Sequence, residues 1–411
     1  MMFKRSLIND LSANVTDGEH ASVKDDENGA YFLLSNKNIK SGKIVYDEYD
    51  RKISESTFLN INRRTKLSFG DVVISTVGSI GKTAVIKDDF INFDFQRSVG
   101  IIKPDQKKLN AEYLHYYFQI PTVQKRLVNL SKGAVQKCLF ISDLRGIEID
   151  HPTNIEDQEV LVAVLKSIDS KIELNNRINA DLEAMAKTIY DYWFVQFDFP
   201  DKNGKPYKTS GGKMVWNAEL KREIPEGWEV RALFSSCVVQ YGFPFSTNYF
   251  NDYGKGLPVI RIRDILDNTI SNYSTEGDVN SRYLIKKGDV LIGMDGNFHV
   301  NYWSINDCYL NQRVVKLSET ILPNIYLRYQ VEPYIKLREQ SVSRTTVGHL
   351  SDKDMRAIPI LKPDDRILEI INDLFKKSLD KILTNRNENE DLKGLRDWLL
   401  PMLMNGQVRI N

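Results

Sequence analysis

Cysteine is scarce in this chain. Cys138, Cys237 and Cys308 are scattered over 411 residues without a CxxC pair, a spacing that supports neither a disulfide framework nor a cysteine zinc site. Five histidines (His20, His115, His151, His299 and His349) form no HxxxH or HExxH pattern, so no metal site is expected. No apolar run approaches the ~20 residues that span a bilayer. Met1 to Asp10 carries Lys4 and Arg5 with no apolar stretch behind them, so no secretory signal is expected. These absences leave a cytoplasmic protein without membrane contact as the expectation. An excess of one charge is missing too, since the formal net charge is only +1. Nucleic-acid binders often carry a strong basic excess, so any basic surface here must be local. Arg51, Lys52, Arg63, Arg64 and Lys66, against Glu55 alone, form one such cluster. By itself it reads as a solvated face as readily as a contact.

Catalytic signatures are absent as well. There is no GxSxG, no GxGxxG ahead of a helix, no Asn/Asp-Pro-Pro-aromatic methylase motif, and no convincing Pro-Asp…Glu-x-Lys nuclease pattern. Gly78-Ser79-Ile80-Gly81-Lys82-Thr83 resembles a phosphate-binding loop, but position 76 is Thr76 where that loop needs glycine. Ala84-Val85-Ile86 behind it reads as a strand, whereas phosphate is held at a helix N-terminus. A glycine-rich β-turn is the better reading. Together the gaps favour a binding protein over an enzyme.

What is present is a repeat about half the chain long. Leu33–Ile39 lines up with Val259–Ile265, and Gly70-Asp71-Val72-Val73-Ile74 with Gly288-Asp289-Val290-Leu291-Ile292. Each of the latter is closed by a glycine, Gly78 and Gly296. Gln96-Arg97 lines up with Gln312-Arg313, and Leu139–Ile149 with Leu350–Ile360. Four collinear matches require a two-lobed architecture, of whatever function. Each lobe reads as short strands and turns with a helix, around Tyr113 to Leu127 in the first and Pro323 to Leu337 in the second.

Each half ends in a long helix. Residues 155–194 contain neither Pro nor Gly and carry heptad spacing. With Leu161 as an a position, the a series reads Leu161, Ile168, Asn175, Leu182 and Ile189. The second helix gives Ile371, Ser378, Asn385, Leu392 and Leu399. The d series is Val164, Lys171, Ile178 and Met185, against Leu374, Lys381, Glu388 and Leu395. Both helices thus place Asn at the middle a position and Lys just before it. A buried Asn tends to fix register, and two helices with the same defect could pair it away as a coiled coil. The alternative is that each helix packs on its own lobe. About 40 helical residues span roughly 60 Å, longer than one small lobe and suited to a spacer.

Asp191-Tyr192-Trp193-Phe194-Val195-Gln196-Phe197-Asp198-Phe199-Pro200 runs on through Gly204–Lys208, Gly211–Met214 and Ile224-Pro225-Glu226-Gly227-Trp228. This stretch resembles the central region of type I restriction-modification specificity subunits. Asp17-Gly18-Glu19-His20, Pro258–Ile265 and Leu395–Gly406 resemble shorter motifs of the same family. Two departures stand out. The first lobe lacks the Pro-x-Gly-Trp start, and the turn pattern of Ser131–Lys137 has no good match in Arg344–Gly348.

The resemblance implies an α+β fold: two similar mixed α/β DNA-recognition lobes joined by two long helices, packed as an antiparallel coiled coil with pseudo-two-fold symmetry. The expected segments are recognition domains at 1–150 and 224–361, conserved helices at 151–200 and 362–411, and a linker at 201–223. The implied function is non-catalytic. Each lobe reads one half of a split site in the major groove of double-stranded DNA. The helices set the spacer and bind two modification subunits, and nuclease-translocase subunits then join. S-adenosylmethionine, ATP and Mg2+ would belong to those partners, leaving no cofactor on this chain. A duplicated scaffold that does not bind DNA, or a single-chain restriction enzyme, are the rival readings. Base readout calls for polar and basic side chains on recurring turns. The candidates are His20, Ser79, Lys82, Gln96, Arg97, Lys132 and Gln136 in the first lobe. In the second they are Tyr241, Asn297, His299, Gln312, Arg313, Arg344 and His349. The matched Gln-Arg pairs could equally hold a loop.

Overall fold

A computed structural model describes residues 1–88, 90–133, 136–341 and 348–408. The chain divides into two compact units, Met1–Ser170 with Leu392–Asn411, and Lys171–Asp391.

The principal strands of the first unit are β1 (Phe3–Leu7), β2 (Ser12–Asp17), β3 (Tyr31–Leu34), β4 (Val72–Ser75), β5 (Thr83–Val85), β6 (Phe93–Phe95), β7 (Val99–Pro104) and β8 (Glu148–Pro152). Its helices are α1 (Glu55–Thr65), α2 (Ala111–Gln119), α3 (Pro121–Leu130), α4 (Ile141–Arg145) and the start of α5 (Ile155–Tyr190). An antiparallel sheet runs in the order β2-β7-β4-β5, β1 pairs with β8, and β3 lies parallel to β6. Successive side chains of a strand point to opposite faces. Val72 and Ile74 therefore enter the core under α2 and α3, while Val73 enters a second core with Phe93 and Phe95. Both faces are covered, which is why β4 reads as an unbroken apolar run.

The second unit repeats this plan with β9 (Glu229–Ala232), β10 (Val238–Tyr241), β11 (Leu257–Ile260), β12 (Val290–Gly293), β13 (Val300–Tyr302), β14 (Cys308–Leu310), β15 (Val314–Ser318) and β16 (Pro359–Lys362). Its sheet order is β10-β15-β12-β13, β9 pairs with β16, and β11 is parallel to β14. Helices α6 (Asn324–Ser341), α7 (Asp352–Arg356) and α8 (Asp365–Met404) follow. The Gly-Asp repeat is a turn device. Gly70 and Gly288 take φ of 82° and 97°, where a side chain is strained. The next residue, Asp71 or Asp289, accepts the amide of Ser68 or Lys286 at 2.9 and 2.8 Å.

The helix expected over Tyr113–Leu127 is broken in two. Pro121 lacks an amide and pushes Ile120 to ψ 127°, away from the helical region. In the second unit α6 continues through Pro333. Sequence comparison also missed a matched pair. Tyr113 and Tyr326 are fully buried, and their hydroxyls donate to the Asp150 and Leu361 carbonyls at 2.9 and 2.6 Å.

Asp191–Val195 adds one wide π-type turn to α5. Phe194 meets Tyr326 edge-on at 4.6 Å, and Phe199 stacks between Tyr207 and Trp228. Such ring pairs contribute about 0.5–1.5 kcal/mol beyond their buried area. The aromatic run of the central stretch is thus an anchor in the core of the second unit.

The two long helices pair antiparallel. Within the first unit Arg396 reaches Asp169 at 2.9 Å, and within the second Arg386 reaches Glu183 at 3.2 Å. The buried stripe of α5 reads Leu161, Leu165, Ile168, Asn175, Asn179 and Ala186; that of α8 reads Ile371, Phe375, Ser378, Ile382, Asn385 and Asn389. This corrects the heptad phase. The residues expected at d (Lys171, Met185, Lys381 and Leu395 among them) flank the seam, because the buried neighbours Leu165, Asn179, Ala186, Phe375, Ile382 and Asn389 lie four positions after an a residue, not three. The expected Asn175–Asn385 pairing is also replaced. Asn175 donates to Asn389 at 2.9 Å, and Asn385 donates to Asn179 at 2.8 Å. Each helix carries Asn-x-x-x-Asn, and the two motifs engage reciprocally. The rival packing is also partly realised. Leu161, Val162 and Leu165 join the first unit's core together with Leu400, Leu403 and Met404 of α8. Ala186 and Tyr190 join the second unit's core together with Ile367, Ile371 and Phe375.

Asn385→Leu removes the donor to a buried Asn179 oxygen and should cost about 1–3 kcal/mol, read as a lower urea midpoint. Replacing Asn179 and Asn385 together by leucine should recover most of that loss, since neither amide is then left alone. A neutral single substitution would contradict the pairing.

Candidate nucleic-acid interface

Four chain segments meet at one edge of each sheet, and the strand order puts them there. In the first unit they are Gly18–His20 after β2, Thr76–Lys82 between β4 and β5, Gln96–Ser98 between β6 and β7, and Lys132, Gly133 and Gln136–Leu139 after α3. Backbone hydrogen bonds stitch them together. Gly18 N donates to Val99 O at 3.0 Å, Arg97 N to Glu19 O at 2.9 Å, Thr76 N to Ser98 O at 2.9 Å, and Leu139 N to Thr76 O at 2.8 Å. The second unit carries three of the four. Gly242 N donates to Val314 O at 3.0 Å, Met294 N to Arg313 O at 2.9 Å, and Leu350 N to Met294 O at 2.8 Å.

These bonds correct one alignment. Val99 corresponds to Val314 and Glu19↔Gln96 to the bridge Phe243↔Asn311, so Gln96 matches Asn311 and Arg97 matches Gln312. The apparent Gln-Arg match is shifted by one residue. They also reveal why a glycine follows β2 and β10. A Cβ on Gly18 would stand 2.1 Å from the Phe95 carbonyl oxygen, and one on Gly242 would stand 1.9 Å from that of Asn311. No side chain fits where two backbones pass so closely.

Most of the sequence candidates lie on these segments. His20, Ser79, Lys82, Arg97, Lys132 and Gln136 are exposed in the first unit, and Gln96 is half-buried with its backbone N–H donating to Leu34 O. In the second unit Asn297, Gln312, Arg313 and His349 are exposed and His299 is half-buried. Arg344 lies outside the described residues. Tyr241 differs from the rest: it is half-buried and its hydroxyl donates to Asp352 at 2.8 Å. The glycine-rich reading of Gly78–Thr83 holds, since Gly78 and Gly81 take φ of 74° and 90° and a strand starts at Thr83.

The first unit's edge is locally cationic despite the balanced total charge. Among the described residues Lys82 and Arg97 have no ion-pair partner, while Lys132 stands 3.7 Å from Asp143. Arg64, from the basic cluster on α1, is instead structural in part. It donates to the carbonyls of Asp17 and Gly18 and so pins the segment after β2.

The family of type I restriction modification DNA specificity domains matches the sequence twice, over residues 19–184 and 225–393. The chain belongs to that family. It is 26% identical over 395 residues to the MjaIX specificity subunit of Methanocaldococcus jannaschii, covering 92% of this chain and 86% of that one. It is 22% identical to the HindI specificity subunit of Haemophilus influenzae, covering 90% and 94%. The crystal structure of a type I restriction-modification S subunit from M. genitalium has the same fold, with a TM-score of 0.57 at 15% identity, covering 100% of this chain and 97% of that one.

In both specificity domains, side chains that sequence reasoning passed over complete the edge. Asp17 and Asp295 each hold a candidate histidine at 2.6 Å. Asp17 opens the Asp17–His20 motif, so a signal existed for it; nothing in the sequence points to Asp295. Behind the β4–β5 turn of the first specificity domain lies a buried histidine. The Gln119 amide lies 2.7 Å from His115 Nε2, and His115 Nδ1 lies 2.9 Å from Thr83 Oγ1. With the amide donating to Nε2, the neutral ring carries its proton on Nδ1 and donates it to Thr83. It ties α2 to β5 next to Lys82.

Burial pushes the His115 pKa down to about 4 from its ordinary 6.5. The unfolded chain therefore binds a proton near pH 6.5 that the fold refuses. The His115 contribution is whole above pH 6.5 and is lost as pH falls from 6.5 towards 4, by up to roughly 3 kcal/mol. Urea unfolding between pH 4 and 7 should show this slope, and His115→Gln should flatten it. An unchanged slope in the variant would assign the acid sensitivity elsewhere.

Proposed function

We propose that this chain is the DNA-recognition subunit of a type I restriction-modification complex, each specificity domain contacting one half of a split site in the major groove. The observation that carries the reading is the edge found twice. Both units repeat the same backbone scaffold but fill it with different polar side chains. A shared scaffold gives two equivalent approaches to the duplex, and unlike side chains give two different base preferences. Lys82, Arg97 and Lys132 supply phosphate attraction, which falls steeply with salt. His20, Ser79, Gln96, Gln136, Asn297, His299, Gln312, Arg313, Arg344 and His349 are the candidate base or groove contacts. Tyr241 supports the edge through Asp352.

The paired helices suit a spacer that also docks partners. Within each unit one flank of the helices is taken up by that unit's own lobe: Arg386 donates to Tyr302 O in the second, and Tyr116 donates to Asp169 in the first. The opposite flank of the helices within each unit carries exposed apolar side chains; in the second unit it is marked by the Lys171–Glu388 pair at 3.4 Å. Val160, Leu395 and Trp398 lie on it in the first unit; Met185, Tyr192 and Ile370 lie on it in the second. Val160 and Ile370 directly precede the matched Leu161 and Ile371, and Met185 matches Leu395 in the repeat. A patch occurring twice takes two copies of one partner, here the modification subunit. Restriction subunits would join that assembly, and S-adenosylmethionine, ATP and Mg2+ would be bound by the partners.

Mapping methylated bases in cells that express the complex should return two short half-sites at a fixed separation. One extra heptad in both α5 and α8 adds about 10 Å, so the tolerated spacer should shift by roughly three base pairs. A continuous motif, or a spacer indifferent to the insertion, would sink the reading. Leu395→Glu should lower the modification subunits bound per chain from two towards one in native mass spectrometry, and adding Met185→Glu should remove the second. Full occupancy in the double variant would place the docking surface elsewhere.

A further inference from the structure

Each unit holds one carboxylate that grips both a histidine and an arginine. In the first, Asp17 lies 2.6 Å from His20 Nε2 and 3.4 Å from Arg64 Nη1. In the second, Asp295 lies 2.6 Å from His349 Nδ1 and 3.2 Å from Arg313 Nε. The carboxylates are mostly covered, at 19% and 27% exposure, whereas His20 and Arg313 are exposed at 60% and 54%.

The two clamps do not occupy the same place in the repeat. Asp17 precedes Gly18, and the residue before the matching Gly242 is Tyr241. The bridge Asp295↔His349 has as its counterpart Val77↔Cys138, and Arg313 has as its counterpart Ser98, by the shared bond to the β4 or β12 end. The first unit is therefore neutral where the second is charged.

An exposed-edge carboxylate repels phosphate, so affinity for DNA gives no reason for it. Orientation does. A carboxylate paired with two such side chains constrains both at once and leaves their remaining donors outward. Arg313 is held through Nε, which frees both terminal nitrogens for the two acceptors on guanine. His349 is held through Nδ1, which leaves Nε2 for a base edge. Arg64 spends its terminal nitrogens on the Asp17 and Gly18 carbonyls, so in the first unit His20 alone is presented. Resting on the DNA-recognition reading above, we infer that Asp295 is the positioning residue for Arg313 and His349 at one half-site, and that Asp17 positions His20 at the other. The two half-sites are then read from different turns of a common scaffold.

The test is D295N and D17N in the full chain, each expressed with its modification partner and read by genome-wide methylation mapping. D295N should relax base preference at one half-site by on the order of tenfold and leave the other half-site sharp. D17N should do the reverse. Binding to random duplex at low salt should not fall, since a negative charge has been removed. R313Q should reproduce the D295N pattern and guards against a misfolded first variant. Two sharp half-sites in D295N, or both relaxing together in either variant, would overturn the assignment. A wild-type complex with no split motif would instead overturn the DNA-recognition reading itself.

Discussion

The reciprocal amide pairs Asn175–Asn389 and Asn179–Asn385 constrain everything else in this molecule. An amide buried in an apolar seam is costly unless its partner sits at one height on the facing helix. These pairs therefore select a single register for α5 against α8. That register matters because each unit's core contains the beginning of one helix and the end of the other. A slip of one heptad would take Leu400, Leu403 and Met404 out of the first core and Ala186 and Tyr190 out of the second. The polar residues in the seam cost stability, and they give the pair one arrangement among several that apolar residues alone would allow.

Outside the seam, the duplication has kept what the backbone needs and released what the backbone does not use. Gly18 and Gly242 persist because two chains cross without room for a Cβ. Gly70-Asp71 and Gly288-Asp289 persist because the turn needs a positive φ and a carboxylate for an orphan amide. Tyr113 and Tyr326 persist because a buried hydroxyl must find a carbonyl. At the exposed edge no such demand exists. There Val77, Ser98 and Cys138 stand against Asp295, Arg313 and His349 on matching backbone bonds. Separating scaffold from surface in this way lets each specificity domain change its chemistry without disturbing its fold.

The near-neutral total charge fits this division. Acidic residues are spent as turn caps (Asp71, Asp289), as clamps (Asp17, Asp295) and as helix-pair partners (Glu183, Asp169). Lys82 and Arg97 are left on the edge without carboxylates among the described residues. A local field of this kind does not show in a sum over the chain.

Much of the fold was legible in the sequence, because its signals are local or periodic. The half-chain repeat, the strand behind Gly78–Thr83 and the long helices each follow from spacing alone. The aromatic stretch Asp191–Pro200 and the family resemblance it carries were legible too. Two readings failed for a shared reason: a one-residue error leaves spacing plausible. The heptad phase could be placed with Val164 or with Leu165 beside Leu161, and only packing shows that Leu165 is inside. Gln96-Arg97 matches Gln312-Arg313 by letters, and only the bridge to Glu19 or Phe243 shows the offset. The second unit's clamp was beyond sequence altogether. Asp295, Arg313 and His349 lie far apart along the chain and meet because three separate turns end at one sheet edge. The sequence by itself determined which residues must be buried or turned, since those demands act between neighbours. Tertiary structure alone decided which exposed charges meet, since that depends on strand order, which no local pattern encodes.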